Sequence, residues 1–401
     1  KRSKSGRIKK RKSWKFDERR ARQVDIELSQ EQRMFQKAIR EFVQKEVAPL
    51  VDEAEEKESY PVELFSKFGE LGYLCPAYPS KYGGGELGKT GDCIMVEELA
   101  KINSGICAGI MINSGLATSA ILHHGSEEQK QKYLIPAVKG KKIAAFGLSE
   151  ANAGSDAAAI ETTAKRDGDY YIVNGTKMYI TNGPICDFIT LAVSTHKNKG
   201  SRGISVLIVE SNTPGLSMSK LRKVGHHSAA TAEIALEDCR VPIDNLIGEQ
   251  DKGFGYILES VSTGRLSHSA RSLGTSEVAF QASLDYAKER IQFGQPIGKF
   301  QAIAFKLARL ATEIEAARCL LYRVVSLYDQ GIDVRKEASM TKLFSSELAI
   351  RMAEEAMRIH AGAGYLAESK VQRYFRDAIL YHSTEGTTEI QQLVISRELG
   401  L

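Results

Sequence analysis

The chain has 401 residues, 42% of them apolar, and 55 Lys and Arg against 50 Asp and Glu, for a formal charge of +5. This length and apolar content exclude a disordered chain and predict two or three domains. The charge is unevenly placed: residues 1–23 carry 12 basic and two acidic side chains, so the rest is a mildly acidic globular body behind a basic arm.

Residues 1–26 read as an unstructured basic tail. They are Arg-rich and acid-poor like a mitochondrial transit segment, but their Lys clusters and missing apolar stripe speak against that reading. Such arms also bind nucleic acid through its phosphates, which stays open as a minor alternative. Residues 27–142 read as a helical domain. Ser29 and Gln32 have capping-box spacing ahead of a stripe of Phe35, Ile39, Phe42 and Val43. Pro61 opens a second helix through Val62, Phe65, Phe68 and Leu71. Glu97–Leu116 reads as one buried helix, and Ile121–Val138 as a weaker one interrupted at Gly125.

Residues 143–250 change character. The dipeptides Asp167-Gly168, Asn174-Gly175 and Asn182-Gly183 separate short β-type runs, which predicts hairpins in a compact β domain, sandwich or barrel. From 251 to 401 helices return. Ser262–Arg290, Gln301–Gln330, Val334–Gly362 and Thr388–Leu399 suit an antiparallel four-helix bundle. The fold class expected is α+β, mostly α.

No run of about 18 apolar residues stands out, so no membrane-spanning helix is expected. The six cysteines are scattered without a C-x-x-C pair, and the His spacing offers no zinc pattern. Buried free thiols, no metal, and a reducing compartment (bacterial cytoplasm or mitochondrial matrix, not a secreted protein) are expected.

Rossmann, P-loop, H-E-x-x-H and G-x-S-x-G patterns are absent. Four other stretches stand out. Phe146–Asp156 is a strand end followed by a small polar loop, fit to hold a flavin edge or a pyrophosphate, or simply a capped turn. Lys177–Gly183 sets Tyr179 and Thr181 two apart, on one side of a strand, for a planar ligand or for cross-strand packing. Arg290–Gln301 is a helix–turn–helix junction whose Arg290 suits a phosphate or the helix C-terminus itself. Ser383–Gln391 puts Glu385 in a polar loop before the last helix, as a desolvated base or as a helix-dipole partner. Singly, each is ambiguous.

In their order and spacing the four resemble the acyl-CoA dehydrogenase family over nearly all of residues 27–400. Phe146–Asp156 matches the family's flavin motif, Tyr179–Gly183 its strand motif, Arg290–Gln301 its Arg-x-x-Phe-Gly motif and Glu385–Gln391 its Glu-Gly-Thr motif. The resemblance implies a helical domain, a middle β domain and a C-terminal four-helix bundle, with FAD and a homotetramer built as a dimer of dimers. It implies α,β-dehydrogenation of a short, medium or branched acyl-CoA, with electrons passed to an electron-transfer flavoprotein.

Carried over residue by residue, Glu385 becomes the catalytic base. Phe146, Leu148, Ser149, Tyr179, Ile180 and Thr181 line the flavin ring, with Ser155 where flavin and CoA portions meet. Arg290, Phe293 and Gln301 reach a neighbouring subunit's FAD. Arg358 and Gly362 lie near the adenosine end, and Thr387, Thr388 and Glu389 on the diphosphate side. Ser262, Arg265 and Gly386 join Ser155 on the substrate side. Some members place the base one residue before the matching Arg; here that residue is Gly264. Tyr179 stands where Trp is usual, Arg358-Ile359-His360-Ala361-Gly362 replaces the usual Gln-x-x-Gly-Gly segment, and Thr384 replaces a common Tyr. Rival readings are a same-fold flavin monooxygenase or DNA-associated relative, a decarboxylating glutaryl-CoA type and a non-enzymatic scaffold. The glutaryl-CoA type requires an Arg in the helix around 97–115, where only Lys101 occurs.

Overall fold

A computed structural model describes residues 27–401; the basic tail, and every reading of it, lies outside the described residues. Ser29 begins α1 (Gln30–Phe42) with the expected capping box: Gln32 N–H donates to Ser29 Oγ at 3.1 Å, and Ser29 N–H to Gln32 Oε1 at 2.9 Å. Ile39 and Phe42 point inward, and the Phe42 ring meets Phe68 edge-on at 4.7 Å. A short α2 (Val51–Glu56), too brief to show a period, precedes α3 (Glu63–Glu70). Phe65 and Phe68 are buried as expected, but Val62 and Leu71 are exposed and Leu64 takes the inward place.

The single helix expected over Glu97–Leu116 is broken. It is α4 (Gly88–Ala100) and α5 (Ser104–Met111), parted at Asn103, whose Oδ1 accepts the Ile106 N–H at 2.8 Å and starts a new helix. The chain runs on through a π turn (Ile112–Leu116) into α6 (Ala117–His124), which stops at Gly125. Ser126 caps α7 (Glu127–Gln129), and a second π turn leads to α8 (Ile135–Val138). By length and composition Ser104–His124 could cross a membrane, contrary to expectation, yet 78% of its apolar window is buried in the fold. It is apolar on all sides because protein surrounds it on all sides.

The middle region is one sheet of seven strands: β1 (Ala144–Gly147), β2 (Thr163–Asp167), β3 (Tyr170–Thr181), β4 (Phe188–Ser194), β5 (Ile204–Glu210), β6 (Leu216–Lys220) and β7 (Thr231–Pro242). Their order is β1-β4-β2-β3-β7-β6, with β5 branching from β4. Only Asp167-Gly168 makes a hairpin turn, joining β2 to β3. Asn174-Gly175 is a bulge inside β3, where Gly175 has φ +147° and a Cβ would come within 2.6 Å of Thr162. Asn182-Gly183 ends β3 with a left-handed residue and a short 3₁₀ turn, and sends the chain to a strand that does not pair with β3.

The third region begins with α9 (Gly253–Glu289), 37 residues long and nine residues earlier in its start than the periodicity suggested. Then come α10 (Gln301–Asp329), α11 (Arg335–His360), α12 (Lys370–Ala378) and α13 (Thr388–Leu399). Of these, α12 went unforeseen: among its nine residues only Val371, Asp377 and Ala378 are buried. One apolar core joins the first domain to the bundle, and a second lies within the sheet. At Gly274 the helices α4 and α9 come so close that a Cβ would meet the Glu97 carbonyl at 2.4 Å. Five cysteines are buried free thiols; Cys319, against expectation, is exposed.

Candidate active site

Glu385 sits on a loop that the fold strains and clamps. Its φ is +56° and that of Gly386 +86°, two successive left-handed residues of which only the second is glycine. Buried Gln391 donates Nε2–H to the carbonyls of Glu385 (3.0 Å) and Gly386 (2.9 Å). Buried Lys342 donates Nζ–H to those of Tyr381 (3.0 Å) and Gly386 (2.9 Å). Thr387 closes the loop as N-cap of α13, its Oγ1 accepting from Ile390 N–H at 3.3 Å. So Thr387 has a capping role, Thr388 opens the helix half-buried and Glu389 is exposed in its first turn.

The Glu385 carboxylate faces α9. A Cβ on Gly264 would lie 2.8 Å from Oε2, with Leu116 at 3.3 Å on its other side. The alternative base position and the Glu385 carboxylate therefore compete for one space. Burial pushes the Glu385 carboxyl above the usual carboxylate range; the charges of Arg271, Arg265, Lys342 and Lys89 hold the rise back. Burial also brings the Lys342 ammonium down to about 8. Arg265 is buried and donates Nη1–H to Ser339 Oγ at 3.0 Å. Ser262 is half-buried on α9, and its neighbour Thr263 lines a cavity of ≈ 550 Å³ together with Tyr78, Lys89, Gly115, Leu122 and Tyr328.

A second cluster joins β1 and β3. Met178 N–H donates to the Ser149 carbonyl at 2.8 Å, and buried Lys177 donates Nζ–H to the Leu148 carbonyl at 3.0 Å and to Glu150 at 2.7 Å. Glu150 also accepts the backbone N–H groups of Glu161 and Thr162, which closes the polar loop after β1. Phe146, Leu148, Ser149 and Thr181 are half-buried there, and Ser155 is exposed on the loop. Tyr179 lies on a bulge with φ +65° and is 66% exposed, so the simple alternation expected to carry Thr181 to its side does not run through. Ile180 points into the sheet's core, which leaves only its main chain for a ligand. The exposed Tyr179 ring beside open, half-buried strand ends fits a planar ring with polar edges, and hence a flavin.

Asn113 and Asn182 link the two clusters. Asn113 Oδ1 accepts Ala144 N–H of β1 at 2.7 Å, from the same π turn that brings Leu116 to Gly264. Asn182 Nδ2 donates to Gly109 of α5 at 2.9 Å and to Ala144 at 3.1 Å. The remaining predicted residues lie elsewhere. Arg290, Phe293, Gln301, Arg358 and Gly362 are all exposed at the other end of the bundle, Phe293 at 93% with φ +51°. Arg358 pairs with Glu354 at 2.6 Å along its own helix. From Arg265 to Arg290 is 25 residues of α9, about 37 Å at 1.5 Å per residue. No metal-binding group of His, Cys, Asp or Glu occurs among the described residues.

Three domain families match in the same order: the acyl-CoA dehydrogenase N-terminal domain at residues 29–141, the middle domain at 145–239 and the C-terminal domain at 251–400. A probable acyl-CoA dehydrogenase of Bacillus subtilis (strain 168) is 42% identical over 378 residues, 94% of this chain and 100% of the relative. The chain belongs to the acyl-CoA dehydrogenase family. It is an oxidoreductase of a flavoprotein family, and the fold it was expected to have is the one observed. The subunit CarC of a caffeyl-CoA reductase–Etf complex from Acetobacterium woodii is 40% identical over 92% of this chain and 98% of its own length. Butyryl-CoA dehydrogenase from Megasphaera elsdenii superposes with a TM-score of 0.91 at 38% identity, covering 94% of this chain and 100% of that chain.

Sequence reasoning missed Glu150, Lys177, His268, Arg271 and Lys342. A signal existed for some. Lys342 sits on the inward stripe of α11 with Ala338, Ser345, Ala349 and Met352, and a Lys among core positions marks a buried role.

Proposed function

We propose that the protein dehydrogenates a short acyl-CoA between its α and β carbons to the trans-2-enoyl thioester, with Glu385 as the base. The observation that carries this reading is Glu385 itself: a carboxylate on a strained, clamped loop, desolvated and facing the space left by Gly264. An α-proton is too weakly acidic for an ordinary carboxylate, and desolvation strengthens the base. The charges of Arg271, Arg265 and Lys342 favour the ionised carboxylate and so oppose the effect of its burial. The clamp of Lys342 and Gln391 holds the carboxylate in one place, so orientation is settled before substrate arrives.

FAD, when bound, supplies the ring that accepts the β-hydrogen as hydride at N5. Phe146, Leu148, Ser149, Tyr179 and Thr181 and the main chain of Ile180 would hold that ring, Tyr179 by its exposed π face. Ser155, Ser262, Arg265 and Gly386 would serve the acyl-CoA. Arg290, Phe293, Gln301, Arg358 and Gly362 lie too far from Glu385 in their own chain to share its cofactor, which supports a homotetramer in which a neighbour's far end completes each FAD site. Thr387, Thr388 and Glu389 would face the diphosphate. The Etf complex named for the Acetobacterium woodii relative supports an electron-transfer flavoprotein as electron acceptor, and the butyryl-CoA dehydrogenase likeness supports a short acyl chain.

The test is an anaerobic titration of the flavin spectrum with acyl-CoAs from short to long and branched. One of them bleaches the oxidised band in the wild type. In Glu385→Gln, flavin and acyl-CoA still bind and reduction slows by at least ~10³-fold. Near-wild-type reduction in that variant would overturn the assignment.

A further inference from the structure

Beyond Gly264, one face of α9 continues through His268, Arg271 and Thr275, spaced as successive turns of one stripe. This face is turned toward the loop that carries the base. His268 Nε2–H donates to the Tyr381 carbonyl at 3.2 Å, which leaves Nδ1 to accept from Thr384 Oγ1 at 3.3 Å and from Arg271 Nη2 at 3.4 Å. The Arg271 guanidinium lies 4.8 Å from the centre of the Tyr381 ring. The Tyr381 hydroxyl is held by Ser104 at 2.5 Å and Thr275 at 2.7 Å.

Arg271 is only 3% exposed, and among the described residues no carboxylate lies within salt-bridge range of it. Its Nε is buried with no hydrogen-bond partner, and so is the Nε of Arg265. Lys342 is satisfied by two carbonyls, but the two arginines are not. Three buried cations thus face one carboxylate, Glu385. A buried guanidinium left without an anion is costly, so an arrangement of this kind is suited to a negative group brought in from outside.

Arg271 is seven residues beyond Gly264, about 10 Å along the helix axis. Helical side chains lean toward the N-terminus, so its guanidinium reaches back toward the base. A guanidinium so placed would meet the far end of an acyl chain of about four to six carbons that ran along α9 from the base.

We infer that the acyl group of the substrate ends in a carboxylate and that Arg271 is the residue that receives it, with His268 steadying the guanidinium. This rests on the dehydrogenase reading and narrows it to ω-carboxyacyl thioesters. It also answers the absence of an Arg in the region around residues 97–115: the cation comes from α9 instead. Neutral His268 is an acceptor at Nδ1 and is no anion partner itself; burial and Arg271 hold its pKa well below the usual imidazole value.

The experiment compares glutaryl-CoA and adipyl-CoA with pentanoyl-CoA and hexanoyl-CoA on the flavin-loaded protein, by kcat/KM for flavin reduction. The wild type should favour the carboxylated partner of at least one pair about tenfold or more. In Arg271→Met that ratio should fall by roughly 10- to 100-fold, as expected for loss of a buried charge-assisted bond, with most of the loss in KM; Arg271→Lys should restore part of it. A wild type that prefers the neutral chain in both pairs overturns the inference but leaves the dehydrogenase reading intact, as does a ratio unmoved by Arg271→Met. If no acyl-CoA of either kind reduces the flavin, the dehydrogenase reading falls and this inference with it. Should Arg271→Met fail to retain flavin, the wild-type ratio and Arg271→Lys decide.

Discussion

The two ends of the C-terminal bundle treat polar residues in opposite ways. Around Glu385, Arg265, His268, Arg271 and Lys342 are all buried, and most of their polar atoms are spent on the same chain. At the other end Arg290, Phe293 and Gln301 stand in solvent, Phe293 on a two-stranded turn (residues 291–296) whose tip, Phe293-Gly294, is left-handed, and Arg290 and Gln301 at the helix ends that flank it. Burial fixes the first set before any ligand arrives, since each group is oriented by neighbours in a low dielectric. The second set has few partners in its own chain, the edge-on contact of Phe293 with Phe300 apart. On the proposed reading the Glu385 end holds the reacting groups, and the exposed aromatic and Arg of the other end would complete a neighbouring subunit's site.

Four substitutions press on that contrast. The largest effect is expected from Gly264→Ala at the base end. The new methyl occupies the place of Glu385 Oε2, and the flexible carboxylate must swing aside. Flavin reduction should slow by roughly 10- to 100-fold, since small misplacements of a base are expensive. Thermal stability should not fall, because Ala is the better helix former by about 1 kcal/mol. A variant that is equally fast would show that the carboxylate does not work where it stands.

Arg290→Ala should do the reverse. Flavin retention on dilution should weaken by roughly tenfold, the loss of one charged contact to phosphate, while the loaded enzyme is reduced at its usual rate. Slowed reduction in fully loaded Arg290→Ala would blur the division between the two ends.

The smallest effect is a pH shift. Lys342 lowers the pKa of Glu385, so Lys342→Met should move the acid limb of flavin reduction to higher pH. Stability carries the same signature with a definite sign. Glu385 has a higher pKa folded than unfolded, so its contribution to stability falls as pH rises from the ordinary carboxylate range to the raised value. Glu385→Gln should remove that slope in a thermal melt series.

The helices of the bundle were legible because their apolar period is long: α10 and α11 fall within a residue or two of the spans read from spacing. The short elements were not. α2 and α12 are shorter than three turns, and β6 has too few inward residues to mark a strand. Both Asn-Gly dipeptides misled, whereas Asp167-Gly168 made the hairpin expected of it. The left-handed conformation they favour serves a hairpin, a bulge or a strand end equally well, and only pairing across the sheet decides which. Of the site, Glu385, Gly264 and Arg265 were visible in local motifs. The stripe of α11 marks Lys342 as buried, but what Lys342 and Lys177 meet is set by other elements and was not legible.

By itself the sequence determined the succession of helices, sheet and helices, the capping of α1 by Ser29, and the polar loop that holds Glu385. These depend on side chains and backbone within a few residues of each other. Tertiary structure decided what faces that base: Gly264 from one helix, Leu116 from a π turn and Lys342 from a third element, none near Glu385 in the chain. It also decided that Arg271 lies buried without an anion of its own. Charge and desolvation act through space, and the local period of a helix carries no record of what another helix will place against it.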